Sequence, residues 1–224
     1  MPPSARTARN PDEAARAVRA EWRSRQLLSA AARLMARDGF HSVSMQALAE
    51  EAEVSVGLIY SYFGNKEELL LAVIVDVLDA FAKQVPAAVA AAGDDPVEQL
   101  AAAFRAYCEV IDDYRHAAVL TYRESRTLSS QRRERIKKLE IETGEPLRSA
   151  LRDGVRSGLF TEQTDVDLIA HDLLLLAHGW ALKSWYLEQK MQLADYARKQ
   201  TALFLAGVLR PEHHDRYQHL LQLR

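Results

Sequence analysis

One cysteine, Cys108, occurs in the 224 residues, so no intramolecular disulfide can form and no cysteine-based metal site can be built. It lies in an amphipathic stretch and reads as a small buried apolar residue rather than a redox sensor. No apolar run reaches the roughly 18 residues that a membrane-spanning helix needs. The arginines near the start (Arg6, Arg9, Arg16, Arg19) have no apolar stretch beside them, so a secretory signal is not expected and a cytoplasmic location is. There is no glycine-rich phosphate loop, no pair of catalytic carboxylates at a recognisable spacing, and no activated serine or cysteine constellation. A helical His-Glu-x-x-His arrangement is also missing. An enzyme on a helical scaffold is therefore disfavoured, and no catalytic residue, metal or cofactor is expected.

Glycine and proline are scarce, at nine and seven, while Ala, Leu, Arg, Glu and Gln abound, a balance that favours helix. Hydrophobic residues make up 48% of the chain, enough for a real core. The net charge of -2 is unevenly spread: residues 1–66 carry +2 and the remainder -4. A basic head on an acidic body is compatible with nucleic-acid binding by one end.

Helical spacing runs through Leu27, Leu28, Ala31, Leu34 and Met35, and Gly39 ends that helix because glycine takes the left-handed C-terminal conformation without steric cost. Ser44 is a good N-cap for a short helix striped by Met45, Leu48, Ala49 and Ala52. A tight turn at Val54-Ser55 leads into a third helix from Val56 to Phe63. After Gly64, Asn65 and Glu68 form a capping box opening a fourth helix with a broad apolar face from Leu69 to Phe81. Asp95, Pro96 and Glu98 form a second helix start after the linker at Gly93. Further helices are expected near 96–114, 116–127, 131–157, 165–188 and 193–209, with a kink or break near 143–146 where Gly144 and Pro146 stand. With no alternating strand pattern, the fold class is all-α.

Three short helices with a tight turn between the second and third describe a helix-turn-helix, whose third helix can enter a DNA major groove. Gly57 opens that helix and permits close approach of another backbone. Ile59 and Phe63 share its inner face, while Tyr60, Ser61 and Tyr62 differ in direction by about 100° each. The stretches Phe40–Ala52 and Val54–Leu69 resemble the DNA-binding signature of the TetR family, over about residues 24–72. The resemblance implies that Ser44 and the helix N-terminus lie at a phosphate, Val56, Tyr60 and Ser61 near bases, and Tyr62 and Lys66 at the phosphate backbone; Gln46, Ser55 and Gly57 are further DNA-binding candidates. Many members carry histidine at the place of Tyr62; a tyrosine hydroxyl can still donate to phosphate.

Five parts are expected: from the residues themselves a flexible basic arm (1–20) and a polar tail (211–224) in which His213-His214 is solvated, and, as the resemblance implies, the helix-turn-helix domain (21–66), a connecting helix (67–83) and a ligand-binding and dimerisation domain (84–210). The resemblance further implies a transcriptional repressor that binds a palindromic operator as a homodimer and is released by a small-molecule effector. The 165–188 segment is apolar around most of its circumference, so part of it is expected against a partner, with Leu173, Trp180, Phe204 and Val208 at the interface. Tyr107, Tyr114, Tyr122, Arg123, Arg126, His178 and Trp185 are candidate effector contacts. Arg123 and Arg126 with Glu124 can form an internal ion-pair network or face a ligand's anionic group. The run Leu120–Arg126 loosely resembles acyl-coenzyme A-responsive members; a neutral hydrophobic or aromatic effector is the alternative. His171 and His178, seven apart, read as packing or ligand-contact residues rather than metal ligands. An adaptor with a solid body remains as a third class, to be separated by the presence of a cavity.

Overall fold

The computed structural model describes residues 11–222. Twelve α-helices are present among them: α1 (Pro11–Asp38), α2 (Met45–Glu51), α3 (Val56–Phe63), α4 (Lys66–Ala91), α5 (Pro96–Asp113), α6 (Arg115–Glu124), α7 (Ser130–Thr143), α8 (Glu145–Arg156), α9 (Val166–Leu182), α10 (Ser184–Leu187), α11 (Leu193–Val208) and α12 (Gln218–Leu221). Among the described residues there is no strand, only an isolated bridge between Phe160 and Leu209. No helix among them is long and apolar enough to cross a membrane. The chain divides into two compact units, one ending at Val73 and the other starting at Ile74.

In the first unit the caps are those the residue types dictate. Gly39 closes α1 at φ +86°, its amide bonded to Met35 O at 2.9 Å. Ser44 Oγ accepts from the Ala47 amide, Ser55 Oγ from Leu58, and Asn65 Oδ1 from Glu68. Each satisfies an amide that the first turn leaves without a partner. Leu48 and Ile59 are fully buried, each adding about 1.5–3 kcal/mol through apolar area removed from water. Residues 11–20, expected in a flexible arm, are instead the start of α1. Pro11 suits a first helical position and Ala14, Ala15 and Ala20 propagate it. The remainder of that arm, residues 1–10 with Arg6 and Arg9, lies outside the described residues.

α4 does not stop at 83. It continues through Pro86 to Ala91, because Val85 is fully buried and the flanking alanines are strong helix formers, which offsets the single amide donor that proline removes. In the second unit α5 is central, packing on α6, α8, α9 and α11, with Leu100, Phe104, Val110 and Ile111 fully buried. The 131–157 segment breaks at the expected place, by Gly144 and Pro146, into α7 and α8, with Pro146 in the first turn of α8. The expected 165–188 helix also breaks, at Lys183.

The segment after 210 is folded rather than a solvated tail. A 3-10 turn (Pro211–His213) and α12 bring Tyr217 into the core at 1% exposure. The Tyr217 hydroxyl donates to Asp95 Oδ2 at 2.8 Å, while Asp95 Oδ1 caps α5 by accepting from the amides of Val97 and Glu98. His219 reaches Glu98, and His214 Nε2 lies 3.2 Å from Leu209 O.

Candidate nucleic-acid interface and effector groove

Between α2 and α3 the chain turns through Glu53, the one non-glycine residue with positive φ (+54°) among the described residues. Val54 donates back to Ala49 O, which tightens the turn. Ile59 anchors α3 in the head's core, so the helix presents its opposite side outward. Val56, Tyr60 and Tyr62 are exposed by 38, 50 and 37%, so their side chains are accessible to a partner. Gly57 has nothing within 4 Å of where a Cβ would stand, so internal packing does not require glycine there. Ser61 is exposed, its hydroxyl donating to Leu58 O at 2.7 Å. Gln46, Ser55 and Val56 line a shallow depression of about 400 Å³ between the two helices, with Glu50 and Glu53 beside them.

Lys66 is half-buried: its ammonium donates to His41 O at 3.0 Å and lies 4.7 Å from the centre of the Phe40 ring. Burial lowers its pKa. The two remaining N–H groups stay available for a phosphate. Each of the residues named from sequence is thus exposed on the head except Lys66, which is half-buried and also serves the head's own structure.

In the second unit three of the seven candidate effector residues come together. The Tyr107 ring stacks on Phe81 with centroids 3.9 Å apart, and its hydroxyl donates to Thr143 Oγ1 at 3.1 Å, Thr143 in turn donating to Glu140 O. His178 stands edge-on to Phe81, Tyr107 and Tyr122, at 6.4, 5.9 and 5.3 Å. Its Nδ1 lies 2.8 Å from Leu174 O, and burial lowers its pKa. The neutral ring therefore donates through Nδ1 and keeps Nε2 as an acceptor.

Beside this cluster a groove of about 410 Å³ opens between α4 and the α7–α8 corner. Leu78, Phe81, Pro86, Leu139 and Pro146 supply its apolar wall, with Asp79, Glu142 and Glu145 among its polar lining. Its size lies within the usual range of ligand sites. Nothing in the sequence distinguished Phe81 from the core stripe to which it also belongs.

The other four candidates lie elsewhere. Arg123 and Arg126 are exposed near the end of α6 and in the following 3-10 turn, so neither guanidinium lies inside the body. Tyr114 sits at the α5–α6 junction. Trp185, on α10, is 68% exposed, because the break at Lys183 carries it off the buried face of α9. Three expected interface residues need correction as well. Leu173, Trp180 and Val208 are already buried within their own chain, at 1, 2 and 6% exposure, and so are not what a partner covers. Phe204 is half-buried against Phe104. The apolar residues left uncovered on these helices are Leu168, Leu175 and Leu182, seven apart on α9, and Leu203 on α11. Among the described residues no three His, Cys, Asp or Glu side chains are placed to hold a metal ion.

A helix-turn-helix with an exposed third helix, followed by a helical body with its own ligand-sized groove, defines a DNA-binding transcriptional regulator rather than an enzyme. Residues 27–73 match the family model described as bacterial regulatory proteins, tetR family, and residues 93–208 match the tetracyclin repressor-like C-terminal domain. The chain belongs to the TetR family. It is 35% identical over 189 residues to the HTH-type transcriptional regulator HbdR of Aromatoleum sp. (strain CIB), covering 84% of this chain and 82% of the relative. Among solved structures it is similar to AibR in complex with isovaleryl coenzyme A and operator DNA, with a TM-score of 0.69 and 24% identity over 81% of this chain and 97% of that one. It is also similar to FadR from Bacillus subtilis in complex with stearoyl-CoA, with a TM-score of 0.68 and 23% identity, again over 81 and 97%.

Proposed function

We propose that this chain is a ligand-released repressor that acts in the cytoplasm, binds a pseudo-palindromic operator as a homodimer, and lets go when an acyl-coenzyme A enters its body. The observation that carries the reading is the span of α4: it starts with Lys66 and lines the groove with Leu78, Phe81 and Pro86. A change at the groove that tilts this helix changes the separation of two recognition helices across a dimer. Ser44, Gln46, Ser55, Tyr62 and Lys66 serve the phosphate backbone and its approach, and Val56, Gly57, Tyr60 and Ser61 the bases. The dimer forms through the uncovered leucines of α9 and α11, which repeat about two turns apart, as a helix–helix seam requires.

Acyl-coenzyme A is favoured because AibR and FadR, which share this fold, are bound to such thioesters. The groove supports a sensing body over an adaptor. A neutral aromatic compound is the second reading, favoured by the Phe81, Tyr107, Tyr122 and His178 rings. The test is a titration of operator-bound protein with acyl-coenzyme A thioesters, free acids and neutral aromatics, read by fluorescence anisotropy. A hundredfold loss of operator affinity corresponds to about 2.7 kcal/mol of coupling, and DNA must weaken ligand binding by the same factor. Release by neutral aromatics alone replaces the ligand class; release by none of them sinks the sensing model.

A further inference from the structure

Between Arg123 and Lys138 the chain carries seven Lys/Arg (Arg123, Arg126, Arg132, Arg133, Arg135, Lys137, Lys138) against Glu124 and Glu134, a net of +5, while the rest of residues 67–224 sums to -9. So local a reversal of sign concentrates positive potential at the α6–α7 corner. Arg133 organises that corner: its Nη1 donates to Leu128 O at 2.8 Å and to Arg126 O at 3.2 Å, folding the turn that bears Arg126 against the start of α7. Arg126, Arg135, Lys137 and Lys138 are exposed.

Helical spacing links this patch to the groove. Leu139, Glu142, Thr143 and Pro146 line it, which fixes the side of α7 that faces the groove. Continued toward the N-terminus, the same stripe passes through Arg135 and Arg132 at i-4 and i-7 from Leu139. At 1.5 Å rise per residue these lie about 6 and 10 Å farther along the helix axis. The stripe thus reads apolar at the groove and cationic beyond it. Asp79 and Glu142 line the groove as well, so a carboxylate placed directly beside the apolar wall meets like charge. A ligand that suits both ends holds its anionic groups well away from its apolar end, on an uncharged arm.

We propose that Arg126, Arg132 and Arg135 form the subsite for the phosphorylated nucleotide end of an acyl-coenzyme A whose acyl group lies in the α4–α7–α8 groove. The inference rests on the acyl-coenzyme A reading above and deepens it by placing the two ends of the ligand. Guanidinium groups match phosphate oxygens through a rigid fork of donors. The uncharged pantetheine arm spans the turn between Arg135 and Leu139, and a free fatty acid is rejected at the groove.

The experiment compares dodecanoyl-coenzyme A, S-dodecanoyl pantetheine and dodecanoate by calorimetry at low and moderate salt, on the full chain and on Arg126→Ala/Arg135→Ala. The unaltered protein is expected to bind the coenzyme A thioester at least tenfold more tightly than the pantetheine thioester and the free acid, with a preference that shrinks as salt rises. The double alanine variant loses most of that preference while its affinity for the pantetheine thioester stays within twofold. Arg126→Lys/Arg135→Lys, measured alongside, retains part of it and keeps the same thermal midpoint. A double alanine variant with its coenzyme A preference intact overturns the subsite while the acyl-coenzyme A reading stands. A fall in its ligand-free operator affinity and salt slope, with that preference intact, makes the patch a DNA contact and also overturns the subsite. No binding of any of the thioesters, including butyryl- and stearoyl-coenzyme A, removes both the subsite and the reading on which it rests.

Discussion

The indole nitrogen of Trp180 donates to Asp112 Oδ1 at 2.7 Å, joining α9 to the end of α5, and the same carboxylate oxygen takes Arg115 at 2.5 Å. The Tyr196 ring also packs against the indole, tilted to it, with 5.2 Å between centroids. Trp180 is therefore held inside its own body, whereas Leu175, on the same helix, is 48% exposed. Opposite outcomes follow from the same substitution at the two places. Trp180→Glu buries an unpaired charge and costs several kcal/mol, enough to unfold a marginal body. Leu175→Glu leaves the circular dichroism spectrum and melting midpoint of the monomer unchanged and abolishes dimerisation. Sedimentation of a folded Leu175→Glu protein that is still dimeric at micromolar concentration moves the pairing surface away from α9.

Gly57→Ala separates folding from recognition. A Cβ there meets nothing within 4 Å, and alanine in place of glycine in a helix adds about 0.5–1 kcal/mol of stability. The melting midpoint is expected to rise while operator affinity falls tenfold or more, because the methyl stands where the DNA approaches. Unchanged affinity in an anisotropy titration removes Gly57 from the interface.

Gly154→Ala gives the reverse sign for the same exchange. It also lies inside a helix, but a Cβ at Gly154 would overlap the Phe160 ring, which is fully buried and held by main-chain bonds on both sides, Phe160 N to Gly154 O and Arg210 N to Leu159 O. Overpacking of this kind costs about 1–3 kcal/mol and outweighs the gain in helix propensity. Denaturant unfolding should show a net loss; a gain means that Phe160 moves aside freely.

His178 makes stability depend on pH in a defined direction. Its folded pKa lies below the ordinary 6.5 because burial disfavours the charged ring. The unfolded chain then binds more protons than the folded one between the two values. The contribution is fully present above about pH 6.5 and is lost as pH falls through that value toward the folded pKa. His178→Gln, which keeps a donor near Leu174 O, should show a shallower loss of unfolding free energy than the unaltered chain between about pH 6.5 and 5. Parallel curves for the two proteins exclude a neutral, buried His178 as a source of the slope.

Helix ends were legible because their signals are local. Gly39, Asn65 with Glu68, and Asp95 with Pro96 act on amides and carbonyls within one turn of themselves, and each terminus lies where those residues stand. What covers what was not legible. The sequence of α9 shows only that it is apolar nearly all round, and nothing local separates Trp180, which is buried against Asp112, from Leu175, which stays 48% exposed. Arg123 and Arg126 sit in an apolar neighbourhood of the sequence yet at a corner in space. The exposed side of α3 was readable because it is continuous in sequence. The groove was not, because Phe81 and Leu139 come from segments almost sixty residues apart and each fits an ordinary core stripe.

The clasp between Tyr217 and Asp95 also has a consequence for the order of events at the ribosome. Its two ends are 122 residues apart, so at about 5–20 residues per second the tyrosine emerges roughly 6–24 s after the aspartate it closes upon. During that interval Asp95 can cap α5 through Oδ1, but the surface that Tyr217 covers is bare. A nascent body in that state presents an unfilled apolar socket to whatever chaperone or neighbouring chain is present, and folding of the second unit can reach completion only when its last helix arrives.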